Sequence, residues 1–132
     1  MRSNRLNHNW LPLLRFVQSS DAVRDRERRQ TASRILVDTA SIWMARGLID
    51  LLDDPDAIVR ANAARALARL TNETHGLSPE DWQSNDEKRA TGVAAWNEWW
   101  QLHRLTCAPP PEGVQLPRKP RDESEMILKA RN

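Results

Sequence analysis

The sequence predicts an all-α protein: two antiparallel helix pairs, a tryptophan-bearing closing helix and a proline-rich tail. Three observations carry that prediction. Apolar residues recur at three- and four-residue steps, as in Ile42, Ala45, Leu48, Ile49 and Leu52, which lays them on one helix face. Breakers separate the periodic stretches, at Ser19-Ser20-Asp21, Asp53-Asp54-Pro55-Asp56 and Gly76 with Ser78-Pro79, where helices stop and start. Six of the seven aromatic residues are Trp, and Trp96, Trp99 and Trp100 share one helix face at i, i+3 and i+4.

The elements follow in order. Residues 1–9, rich in Asn and Arg, carry no periodicity and read as a flexible lead-in. From Trp10 to Gln18, Leu11, Leu14, Phe16 and Val17 predict a short amphipathic helix. Ser19, Ser20 and Asp21 then offer caps for a second helix from about Ala22 to Thr39. Its first half is almost wholly charged or polar, and its second half carries Ile35, Leu36 and Val37. A third helix covers about Ala40 to Asp53, with Trp43 and Met44 broadening its apolar stripe. Gly47 lies inside that stripe at a cost of ~1 kcal/mol against Ala, which predicts a close helix contact there. Asp54 reads as the N-cap and Pro55 as the first residue of a fourth helix running to about Leu70.

Residues 72–83 read as a loop in which Ser78, then Pro79-Glu80-Asp81, starts a single helical turn. Asn85 to Arg89 is polar and solvated, and a fifth helix follows from about Thr91 to Leu105. After Cys107 the chain changes character. Pro109 to Arg121 holds five prolines and is expected to be extended. Asp122 to Ala130 has Met126, Ile127 and Leu128 as its anchoring apolar residues. The predicted organisation is therefore a lead-in (1–9), two helix pairs (10–72), a loop with the Trp-rich helix (73–106) and the tail (107–132).

Composition narrows the functional classes. At 132 residues and 15.2 kDa the chain is one domain or a piece of a longer protein. The net charge of +2 averages over blocks. Residues 1–36 carry eight Arg against Asp21, Asp25 and Glu27 (+5), and residues 37–56 carry five Asp against Arg46 (−4). Four glycines leave no glycine-loop nucleotide site, and Cys107 as the only cysteine excludes an intrachain disulfide or a thiolate zinc cluster. No apolar run approaches the ~18 residues of a membrane span, and Pro12 and Arg15 spoil a signal peptide. A soluble, cytoplasmic protein is expected.

Leu13-Leu14 and Leu51-Leu52 close corresponding first helices 38 residues apart, and Val23-Arg24 and Val59-Arg60 open corresponding second helices 36 apart. One helix pair per such unit predicts a short α-solenoid. The run Leu51-Leu52-Asp53-Asp54-Pro55-Asp56-Ala57-Ile58-Val59-Arg60, with Ala63-Ala64, Ala66-Leu67 and Leu70, closely resembles a HEAT repeat. That resemblance spans about Ser41 to Leu70, under a quarter of the chain. The first unit lacks the Asp-Pro turn and has a more charged second helix. Leu70-Thr71, Gly76 and Trp96-Asn97-Glu98-Trp99-Trp100 are similar to the closing segment of bacterial HEAT-repeat proteins. Asn72 stands where glycine is usual, and the loop is longer. The resemblance implies the C-terminal end of an array, as a short paralogue or a fragment, with Trp96, Trp99 and Trp100 sealing the last repeat. Burying three indoles is worth ~10 kcal/mol gross.

The resemblance also implies a structural Arg60, bonded to an aspartate of the inter-helix turn or a neighbouring repeat, with Asp54, Asp56 and Asp50 as candidates. The acidic block lacks calcium-loop spacing and reads as caps and salt bridges. His103 and Cys107 would share a helix face but lack a third ligand, and Ala108-Pro109 breaks the helix there. No metal or cofactor is expected. Nothing in the order of residues assembles a nucleophile, a base and an oxyanion site, so neither catalysis nor a small-molecule substrate is expected.

The expected function is non-catalytic protein–protein interaction or scaffolding, with a protein partner or a second copy. Arg24 and Arg28 of the second helix and Arg65 and Arg69 of the fourth are the candidate contacts. Two repeats fall short of the ~3 a free solenoid needs, which favours a fragment or a stable complex. The alternative is nucleic-acid binding by the Arg-rich second helix (Arg24, Arg26, Arg28, Arg29, Arg34), since a basic helix face neutralises phosphates. For the tail, a plain linker, a polyproline ligand and a strap folding back over the Trp helix stay open.

Overall fold

A computed structural model describes residues 11–107. Within them the chain is all-helical: α1 (Leu11–Ser19), α2 (Arg26–Thr39), a 3-10 turn (Ile42–Met44) running into α3 (Ala45–Leu51), α4 (Ala57–Thr71), α5 (Pro79–Ser84) and α6 (Asp86–His103). The lead-in, Trp10 and the tail beyond Cys107 lie outside the described residues. Contacts run within each pair, α1 with α2 and α3 with α4, and between like-placed helices, α1 with α3 and α2 with α4. The short α5 packs on α4, and α6 lies against α5 and α3. Leu14, Val17, Leu36, Met44, Leu48, Leu52, Val59 and Leu67 are buried where these helices meet. At Gly47 a Cβ would sit 2.8 Å from a Leu14 methyl, the close contact between α3 and α1.

Several boundaries differ from expectation, and the reasons are local hydrogen bonds. The second helix begins at Arg26 rather than near Ala22. The Asp21 carboxylate accepts the N–H groups of Val23 (2.9 Å) and Arg24 (2.7 Å), giving residues 21–25 a capped turn of their own. The fourth helix is capped by Asp56, not Asp54, and starts at Ala57, not Pro55. Asp56 accepts from Ile58 (2.8 Å) and Val59 (3.1 Å), while Asp54 turns inward and accepts only the Asp56 N–H at 2.9 Å from this turn. The last helix begins at Asp86, five residues before Thr91, because Asn85 accepts the Lys88 N–H (3.1 Å). Asp86 and Glu87 then suit the positive helix N-terminus.

Two other features follow the sequence closely. Asn72 ends α4 with a left-handed φ of 61°, a conformation Asn tolerates best after glycine. Ser78 and Asp81 close a reciprocal capping box at the start of α5.

The spacing of the two pairs is also corrected. Arg26 and Ala57, the starts of α2 and α4, are 31 residues apart. On that register buried Val17 corresponds to Leu48, Arg29 to Arg60, Ala32 to Ala63 and Leu36 to Leu67. The 36-residue Val-Arg match does not correspond in burial. Val23 is 87% exposed, whereas Val59 is fully buried.

Candidate functional site

Two of the arginines on the inner sides of α2 and α4 are buried, and each ties its own inter-helix turn to the next element. Arg29 grips Asp54 through both terminal guanidinium nitrogens, at 2.6 and 3.0 Å, and donates to Val17 O (2.7 Å) and, through Nε, to Ser20 Oγ (3.1 Å). The hydrogen bond to Asp54 raises the Arg29 pKa above its ordinary value. Arg60 does bond Asp54 of the inter-helix turn, as expected, but at its backbone carbonyl, and among the described residues it pairs with no carboxylate. It donates to the carbonyls of Asp54 (2.8 Å), Pro55 (3.2 Å), Trp82 (2.8 Å) and Gln83 (2.9 Å). The reason is that Arg29 already occupies the Asp54 carboxylate, and the end of α5 offers carbonyls without intrahelical partners. Burial, then the nearby Arg89 charge, lowers the Arg60 pKa.

A third buried arginine is Arg46, which the sequence offered only as the lone base of the acidic block. Arg46 donates to Asp50 (2.6 Å) and to Asn97 Oδ1 (3.1 Å), fastening α6 to α3. The signal for its role was its i, i+4 spacing to Asp50, an ordinary helix ion pair.

At the α5–α6 end the tryptophans divide differently from expectation. Trp96 is buried, but Trp99 and Trp100 are only half-buried. The second fully buried indole is Trp82, the lone large apolar residue of α5. A Cβ on Gly92 would lie 2.8 Å from two Trp82 ring carbons, so α6 crosses α5 at closest approach there. His75 meets the Trp96 ring edge-on at 4.5 Å, and His103 stacks on Trp99 at 4.6 Å. An apolar cavity of about 180 Å³ opens among Ala64, Arg65, Ala68, Leu77, Trp82 and Trp96.

The four arginines expected to contact a partner meet different fates. Arg24 stands on the turn before α2, exposed and paired with Asp25 at 3.1 Å, an interaction that lowers the Asp25 pKa. Arg28 is exposed on α2 without a hydrogen bond or ion pair among the described residues, as is Arg34. Arg65 is exposed and bonds only Asn62 (3.2 Å). Arg69 is committed: its guanidinium donates to Val37 O and Ala40 O at the end of α2. It closes that helix while its residue stays exposed.

Opposite the tryptophan end, a groove of about 430 Å³ runs between α1 and α2, with Leu13, Phe16, Ala32 and Ile35 as its apolar walls and Glu27, Arg28 and Thr31 at its edge. Among the described residues no group of three His, Cys, Asp or Glu is placed to hold a metal ion. No helix there is long and apolar enough to cross a membrane. Burial raises the Cys107 pKa, which disfavours the reactive thiolate. No family model, curated protein or solved structure matches the chain.

Proposed function

We propose that the chain is a non-catalytic protein–protein interaction module of the HEAT-repeat kind, a short α-solenoid whose second helices present arginines to an acidic partner surface. The solenoid reading is supported by the shared 31-residue register, with Arg29 and Arg60 at like positions. The interaction reading is carried by Arg28, Arg34 and Arg65, exposed on two helices that pack together and none in a close ion pair among the described residues. A guanidinium left this way is a fork awaiting a planar anion. Arg24 adds to the surface, and Arg69 does not. The module works as part of a longer array or of a complex, in the cytoplasm, and the reading assigns it no reaction, cofactor or small-molecule substrate.

The test is crosslinking affinity purification from the source cells with the natural chain and with R28E/R34E/R65E. Loss of the specifically enriched proteins in the variant supports the reading, and an unchanged set overturns it. The same unpaired arginines favour one second reading, contact with nucleic-acid phosphates. Fluorescence anisotropy with duplex and single-stranded DNA decides it, since phosphate binding strengthens steeply as salt falls from about 200 to 50 mM. No binding at low salt removes it.

A further inference from the structure

The two ends of the helix stack are unlike. One is covered by α5 and α6, while the other leaves the α1–α2 groove, whose apolar walls include Leu13, Phe16 and Ile35. A second concavity, of about 600 Å³, is lined by residues 23–28 and shares Glu27 and Arg28 with the groove. Together they form a two-part surface. One part is apolar, and the other carries Arg24, Arg26 and Arg28, of which Arg28 makes no close ion pair or hydrogen bond among the described residues and feels only the nearby charge of Asp25.

The chain itself carries a segment with the complementary order. Asp122-Glu123-Ser124-Glu125 is acidic, and Met126-Ile127-Leu128 follows immediately. These residues lie outside the described ones. Reach is ample. The 15 residue steps from Cys107 to Asp122 span up to about 50 Å of extended chain, against a radius of gyration of about 13 Å for a unit of this size. Residues 1–9 fit less well, because Arg2 and Arg5 repeat the charge of the groove's rim and Leu6 is their main apolar side chain.

We propose that the α1–α2 groove is the docking site of this chain's own residues 122–130. Met126, Ile127 and Leu128 cover Leu13, Phe16 and Ile35, and Asp122, Glu123 and Glu125 face Arg24 and Arg28. The α1–α2 end then has its own cover, an acidic strap with an apolar anchor. Tail and partner would share Arg24 and Arg28, so the tail variant I127E/L128E, which leaves both arginines intact, keeps failure of this proposal distinguishable from failure of the partner reading.

Hydrogen–deuterium exchange on the full chain tests it, comparing the natural sequence with I127E/L128E and with a chain lacking residues 1–9. The substituted residues lie outside the described core, so folding of α1–α6 is not at stake. Docking predicts that amides of α1 and the first half of α2 exchange at least about tenfold faster in I127E/L128E, with α6 unchanged. A charge-reversed pair, R24E/R28E with E123R/E125R, is expected to restore protection that R24E/R28E alone loses. Four results overturn the proposal: an unchanged groove, faster exchange in α6 instead, protection that falls on dilution (a second copy as occupant), or a groove opened only by removing residues 1–9.

Discussion

Arg29 and Arg60 occupy like positions 31 residues apart and are both buried, yet they bind different chemistry. Arg29 reaches forward to a carboxylate, because the next inter-helix turn offers Asp54. Arg60 reaches forward to the end of α5, where it finds the carbonyls of Trp82 and Gln83, the nearby Asp86 carboxylate being paired with Arg89. The helix register fixes where each guanidinium goes, and the following element fixes what it finds. The opposite pKa shifts express the same difference: a carboxylate raises Arg29, and burial among neutral oxygens lowers Arg60.

The largest effect should come from Arg29→Met, which strands the buried Asp54 charge. Breaking such a pair costs about 3–5 kcal/mol, measured by urea or thermal unfolding. If the stranded charge is the cause, R29M/D54N is more stable than Arg29→Met alone, and a double-mutant cycle shows strong coupling. An equal or larger loss in the double variant would mean that Arg29 acts through Val17 O and Ser20 instead. Arg60→Met removes donors from neutral carbonyls, some near solvent, so about 2 kcal/mol is expected. Its damage should be directional: amide exchange accelerates in α5 and α6 while α1–α3 keep their protection. Uniform acceleration would erase the distinction between the two junctions.

How much of this was legible depended on whether a feature is decided locally. The helices and their order follow from the spacing of Leu48, Ile49 and Leu52 and from Gly and Pro breakers. The Ser78–Asp81 capping box was readable because all its atoms lie within four residues. Asp54 read as the cap, but Arg29, 25 residues away, holds its carboxylate and the capping falls to Asp56. The Val-Arg dipeptides misled because a dipeptide carries no burial. Val23 follows the Asp21-capped turn out into solvent, while Val59 lies within a helix and packs inward. The solvated stretch before Thr91 hid a helix start, since its first turns face water and need no apolar period. Arg28 and Arg69 looked alike in sequence. Only the packing of α4 on α2 brings Arg69 to the carbonyls that occupy it.

The smallest expected effects sharpen the contrast between the two ends through their close-contact glycines. At Gly47 an added methyl would meet a Leu14 methyl at 2.8 Å, the end of a flexible side chain. At Gly92 it would meet two carbons of the Trp82 indole and a Leu77 methyl at 2.8–2.9 Å. An indole rotates as a rigid plate, so relief there requires α6 to lift from α5. Overpacking costs about 1–3 kcal/mol, and Gly92→Ala should fall in the upper half of that range, Gly47→Ala at or below its foot. Helix propensity adds about 1 kcal/mol in favour of alanine at both positions, which brings Gly47→Ala near neutral and leaves Gly92→Ala destabilising. Denaturation midpoints for the two variants decide the order. If Gly92→Ala proves neutral, the indole is looser than its burial implies, and the tryptophan end owes its cohesion to Arg60 and to the Arg46–Asn97 bond instead.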